Sequence, residues 1–232
     1  MKEEKVSVSS KFWLCSADCL CGTLSGLITG GGMTYFYTKY LGLDEGLASI
    51  VWMIFAVWNA LNDPLFGYIS DRTKSKLGRR IPYIRYGALL YGVIFILSWF
   101  LWPLGGSQTA LFVQMLVSLF FFDTFYTAIA TSLYVLPYTM AESNQARSGI
   151  FVWKIFFTLL SLAAPLVLFP LVRPDVGESA SRFQTIMIML GVVTTLVIFF
   201  STFFYKEKYT SDAEEAPGLW ESICQCFKNR AF

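Results

Sequence analysis

Residues 47–82 read LASIVWMIFAVWNALNDPLFGYISDRTKSKLGRRIP. The first part, Leu47–Ile69, contains a single charged residue, Asp63. A helix that crosses the hydrocarbon core of a bilayer needs about 20 mostly apolar residues, and this run is long enough. The stretch that follows reverses the character: Arg72, Lys74, Lys76, Arg79 and Arg80 crowd a short turn around Asp71. An apolar run closed by a cluster of basic residues is the pattern of a membrane helix ending at a positively charged membrane face.

Five further segments repeat the apolar theme: Phe12–Tyr40, Ile81–Leu104, Thr109–Pro137, Ile150–Val172 and Phe183–Tyr205. Strands in soluble folds usually end by about ten residues, so these lengths argue for helices. Composition agrees. Of the 232 residues, 55% are hydrophobic and 15% charged, and mean hydropathy is +0.54. A soluble domain carries about 25% charged residues. The expected class is therefore all-α, a six-helix integral membrane protein. The first segment is too long for the core of a signal peptide and is read as a retained helix.

The distribution of Lys and Arg sets the expected orientation. With a cytoplasmic N-terminus, only Lys39, Arg173 and Arg182 of the 18 basic residues fall on the outer side. Both termini are expected in the cytoplasm, with the protein multi-pass in the plasma membrane. The expected organisation is a cytoplasmic N-terminus over residues 1–11, a six-helix bundle over 12–205 and a cytoplasmic linker over 206–232. In that linker Leu219, Ile223 and Phe227 recur at helical spacing, which predicts a short amphipathic helix on the membrane surface.

Several function classes drop out. The chain has no histidine, so Ser-His-Asp and Cys-His catalysis and histidine metal ligation are excluded. A phosphate loop is absent too, so an enzyme is not expected. A net charge of +2 gives no reason to expect a nucleic-acid partner. Cys224-x-Cys226 is a weak metal signal, since a closed zinc site needs four ligands. No cofactor is expected.

Polar residues inside the apolar runs carry the functional reading. A charge at the bilayer centre costs roughly 2.5–3.5 kcal/mol on insertion scales. Asp63 and Asn59 lie four apart, on one helix face. Pro64 withholds a backbone donor and so frees a carbonyl one turn back. Carboxylate, amide oxygen and freed carbonyl are hard oxygen ligands of the kind a small cation prefers. In the fourth segment Asp123, Thr127, Ala130 and Tyr134 form a stripe with Tyr126 beside it. Carboxylate, hydroxyls and rings together suit a polyol; a buried structural aspartate is the plainer alternative for Asp123. Asp18 is read as an N-terminal helix charge that favours the macrodipole. Gly22, Gly26 and Gly30 make a small-residue face for close helix approach, and Gly30-Gly31-Gly32 offers a bend.

The run from Trp58 through Pro82 resembles the signature loop of the major facilitator superfamily. That pattern is Gly-x-x-x-Asp-Arg, a short gap, then Gly-Arg-Arg. Here Gly67…Asp71-Arg72 and Gly78-Arg79-Arg80 are separated by five residues, with Asn62-Asp63-Pro64 just upstream. That spacing is similar to the glycoside-pentoside-hexuronide:cation symporter family. Tyr37-Thr38 through Leu43 fits as well. The resemblance implies the N-terminal six-helix bundle of a twelve-helix transporter that works by alternating access. It implies Na⁺ or H⁺ as coupling ion at Asp63, assisted by Asn59, which stands where the family often has a second carboxylate. It implies a small-solute cavity lined by Asp123, Tyr126, Thr127 and Thr23; Thr23 falls where family members have a sugar-binding aspartate. Asp71, Arg72, Arg79 and Arg80 become a cytoplasmic gate. Lys228–Phe232 resembles the run that precedes helix 7, which implies a second six-helix half or a second copy as partner. Cation-coupled symport of a sugar, glycoside or related solute is the leading expectation. A lysolipid or other amphiphile carrier of the same family and a non-transporting half-size membrane subunit are the alternatives.

Overall fold

A computed structural model describes residues 5–104 and 106–208. The predicted amphipathic helix and the Cys224-x-Cys226 pair lie outside the described residues.

Among the described residues, seven α-helices and one π-helical turn account for the six expected crossings. They are α1 (Val8–Thr29), α2 (Gly32–Tyr35) with a π turn (Phe36–Tyr40), α3 (Glu45–Arg72), α4 (Ile81–Leu97), α5 (Gln108–Met140), α6 (Asn144–Val172) and α7 (Ser181–Ser201). Five spans have the length and apolarity to cross a membrane, and α4 is a shorter apolar helix. The described residues form an all-helical bundle.

The ends of the elements differ from the apolar runs because polar caps extend them. Ser7 accepts from Ser10 N, Asp44 from Gly46 N and Leu47 N, Ser107 from Ala110 N, and Ser143 from Ala146 N. Each satisfies an amide that the first helical turn leaves unpaired. At the other extreme, α4 stops at Leu97 rather than Leu104. Pro103 disfavours helix at Trp102, and the Trp102 N–H donates instead to Gln114 Oε1 at 3.0 Å. The first crossing bends where the glycine triplet predicts it. Gly31 has φ +96° and separates α1 from α2, a backbone state that glycine adopts without strain.

The helices pack most extensively as α1 with α6, α4 with α7, α4 with α5, and α3 with α5. The α1–α6 contact depends on small residues. A Cβ built on Gly22 would lie 2.4 Å from Ser161 Oγ, and one on Gly26 would lie 2.6 Å from Pro165 Cγ. The Pro165 ring cannot swing aside as a flexible side chain would. Gly26→Ala is therefore expected to destabilise the bundle by about 1–3 kcal/mol, the usual cost of overpacking. A lower unfolding midpoint in detergent would show it, and an unchanged midpoint would refute the packing argument.

At the end of the bundle that carries the 98–107 loop, Phe36, Phe95, Trp99 and Phe183 are fully buried. Their rings meet at centroid distances of 5.2–5.8 Å, a range in which aromatic pairs attract beyond simple burial. Gln114 is buried beside them and donates from Nε2 to Tyr37 Oη and Phe100 O. The opposite end gathers the start of α1, the 73–80 turn and the segment after α7, joined by Ser10 Oγ donating to Phe204 O and Lys208 N donating to Thr139 O. One end is thus a buried aromatic plug and the other a basic, hydrogen-bonded face.

Candidate functional site

A cavity of about 970 Å³ opens between α1, α3, α5 and α6. Its charged lining comes from Asp18 of α1, Asp63 and Asp71 of α3, Arg80 and Lys154 of α6. Tyr126, Thr127, Ala130 and Tyr134 form the α5 wall, and Phe151, Ile155 and Leu159 make the α6 side apolar. A smaller cavity of about 320 Å³ adjoins it and shares Asp18, Tyr126, Ala130 and Thr158. The volume lies within the range of small-molecule sites.

Asp63 stands on the cavity wall with Thr127 Oγ1 donating to its Oδ1 at 3.1 Å. Carboxylate and hydroxyl oxygens thus meet at one point, and α3 runs unbroken through Pro64. Asn59 lies one turn away on an exposed face.

Asp123 is placed differently from the predicted stripe. It is 6% exposed and accepts from Asn62 Nδ2 at 2.8 Å, inside the α3–α5 contact. Thr127, Ala130 and Tyr134 of that stripe do line the cavity, while Asp123, a turn earlier, does not. The reason is that α5 is already packed on α3 at that level. Asn62 is the residue the sequence reading missed; its neighbour Asp63 drew attention because only Asp63 is charged. Thr23 is also away from the cavity: it is buried, and its hydroxyl donates to Cys19 O at 2.8 Å.

Where α1 and α6 line the cavity they hold an ion pair. Lys154 Nζ is 3.4 Å from Asp18 Oδ2, with side chains 12% and 24% exposed. Lys154 also sits 5.5 Å from the Tyr134 ring centre, within range of a cation–π attraction. The expected macrodipole role of Asp18 does not hold. Because Ser7 caps α1 and the helix starts at Val8, Asp18 lies almost three turns in, beyond the reach of the terminal dipole. Lys154 likewise lies well inside α6, which begins at Asn144.

Near the basic end Arg80 Nη2 donates to Asp71 Oδ1, and Arg80 Nη1 reaches Ser70 Oγ at 3.4 Å. Arg72 stacks on Tyr68, 4.1 Å from the ring centre. Arg79 contributes its backbone N–H to Glu207 Oε2. The four residues expected at the gate are thus close together, and Asp71 with Arg80 makes the direct pair. Glu207 joins them from beyond α7, where a polar tail had shown no signal.

The model of the family described as MFS/sugar transport protein matches residues 22–232, most of the chain. The chain belongs to this family. MFS stands for the major facilitator superfamily, so the all-helical bundle is its fold and the family is one of transporters. The inner membrane symporter YicJ of Escherichia coli K12 is 24% identical over 96% of the chain and 49% of its own length. YagG of the same strain, named provisionally as a glycoside/cation symporter, is 24% identical over 82% of the chain and 42% of its own length. The mouse sodium-dependent lysophosphatidylcholine symporter 1 is 28% identical over 68% of the chain and 30% of its own length. The chain therefore spans less than half the length of these MFS relatives. Among its described residues it supplies one cavity wall with a carboxylate–hydroxyl pair, a second wall with an ion pair, and a charged cluster at one end.

Proposed function

We propose that this chain is one six-helix half of a secondary transporter that carries a small solute together with a cation by alternating access. The observation that carries this reading is the placement of Asp63 with Thr127 and of Asp18 with Lys154 in the lining of one cavity. A membrane protein keeps ionisable groups at mid-helix for a substrate or ion pathway. In this reading Na⁺ or H⁺ binds at Asp63, where Thr127 Oγ1 and the carbonyl freed by Pro64 offer further oxygens, and Asn59 assists from the next turn. Tyr126 and Tyr134 offer ring faces and hydroxyls to the solute. Asp18 and Lys154 offer it one group of each charge. Asp71 and Arg80, with Arg72 and Arg79, form the gate at the basic end. That end is cytoplasmic, as the Lys and Arg bias supports, and the membrane is the plasma membrane. A second six-helix half, or a second copy, closes the other side of the cavity.

Substrate class has two readings. Sugars and glycosides are favoured by the hydroxyl and aromatic α5 wall and by the name of YagG. An amphiphile such as a lysolipid is favoured by the apolar α6 side facing an ion pair, and by the name of the mouse relative. Proteoliposomes containing the native assembly, given an imposed Na⁺ or proton gradient, decide between them. Gradient-dependent uptake of a radiolabelled glycoside supports the first, and of a labelled lysophospholipid the second. Uptake of neither, with no second half or second copy in the native complex, would favour the half-size subunit and overturn the proposal.

A further inference from the structure

The described part of the segment that follows α7 is bound to the rest of the bundle most densely at one residue, Glu207. Glu207 accepts three backbone hydrogen bonds, from Arg79 N at 2.9 Å, Arg80 N at 2.8 Å and Ile81 N at 3.0 Å. The α4 start has no side-chain cap of its own, so this carboxylate from beyond α7 serves as one. Helix N-termini favour an anion both by their unpaired N–H groups and by the helix dipole. Gly78 makes room for it. A Cβ there would lie 2.6 Å from the Glu207 carboxyl carbon, and its φ of +105° is a glycine conformation. The neighbours of Glu207 are anchored as well. Arg85 Nε donates to Thr202 Oγ1, Trp13 stacks on Phe204 at 4.7 Å, and Lys208 N donates to Thr139 O.

The residue held at its backbone by Glu207 is the one whose side chain pairs with Asp71. We propose that Glu207 is a positioning residue for the gate: it fixes the 78–81 turn so that the Arg80 guanidinium reaches Asp71. The inference rests on the gate role assigned above to that pair. In this arrangement a displacement of the chain at Glu207 is passed through its carboxylate to the backbone of Arg80. The start of the connection to the second half and the gate then move as a unit.

The test uses the full chain in its own membrane, with all five cysteines removed (Cys15, Cys19 and Cys21 to Ala, Cys224 and Cys226 to Ser) and Thr131→Cys on the cavity wall as the single reporter. By helix rise Asp71 lies about 12 Å, and Thr131 about 6 Å, beyond the Asp63–Thr127 contact toward the basic end, so the reporter is deeper than the pair. A membrane-impermeant maleimide is added from the basic face and its labelling rate is measured. Glu207→Ala is expected to speed labelling about tenfold, the scale of losing hydrogen bonds to a charged group, and Asp71→Asn to do the same. Glu207→Asp, which keeps the charge, is expected to recover much of the protection. The double variant Glu207→Ala/Asp71→Asn is expected to label no faster than either single one, because both act through one pair. A merely structural role would instead add to the Asp71 effect. Protection retained in Glu207→Ala while Asp71→Asn labels fast would overturn the positioning role and leave the gate standing. No change in Asp71→Asn would remove the gate reading and this proposal with it, while leaving the uptake experiment as the separate test of transport.

Discussion

Asp63→Asn is expected to reduce accumulation of the solute to its equilibrium level, while solute still exchanges across the membrane. The amide nearly matches the carboxylate in shape, and Thr127 Oγ1, now 3.1 Å from Oδ1, keeps an oxygen to donate to. What disappears is the negative charge that a coupling cation needs. The neighbouring Asn59 cannot replace it, because an amide offers only a dipole. In the proposed reading ion and solute bind in this one cavity, so a variant without the ion can still bind solute but gains nothing from the gradient. Proteoliposomes show the difference: uptake driven by a Na⁺ or proton gradient falls to an inside-to-outside ratio near one, and counterflow driven by preloaded solute persists. Asn59→Asp in the native background is the converse experiment, expected to strengthen cation dependence by placing a second carboxylate one turn away. Normal concentrative uptake by Asp63→Asn would remove Asp63 from the coupling role.

The length of the apolar runs made the crossings legible, because nothing in a soluble fold accounts for a segment such as Ile150–Val172. Their ends were less legible. Ser7, Asp44, Ser107 and Ser143 cap helices from within polar flanks, and an apolar count stops before reaching them. Of the candidate site, Asp63 was visible because a lone charge in an apolar helix is costly wherever it sits. Tyr126 and Thr127 line the cavity that Asp63 borders, and Asp71 and Arg80, read from the sequence as a gate, line it too. The Asp18–Lys154 pair was not visible as a pair. Each residue lay near the flank of its apolar run, where charge is cheap, and only the α1–α6 packing that Gly22 and Gly26 permit brings them together. Asn62 and Asp123 show the same limit from the other side: the periodicity of α5 gives the stripe, but which part of the stripe is covered depends on where α3 lies.

Breaking the Asp18–Lys154 pair from one side is expected to be far more harmful than removing both charges. A buried ion pair loses most of its attraction to the cost of taking two charges out of water, so replacing it by neutral groups is often neutral or stabilising. Removing one partner leaves the other charge uncompensated, at a typical cost of ~3–5 kcal/mol. The side chains here are 12% and 24% exposed and border a cavity, so partial hydration puts the expected cost near the low end of that range, about 3 kcal/mol. Lys154→Gln and Asp18→Asn should each lower the unfolding midpoint of the detergent-solubilised protein by several degrees. The double variant should recover most of that loss, a coupling that the four-way comparison isolates. Additive losses would mean that the two charges do not depend on each other. Uptake then separates stability from function. If the pair serves only to hold α1 against α6, the double variant regains transport along with its stability. If the two charges meet the solute, the double variant is stable and remains inactive, and that is the result the cavity lining leads us to expect.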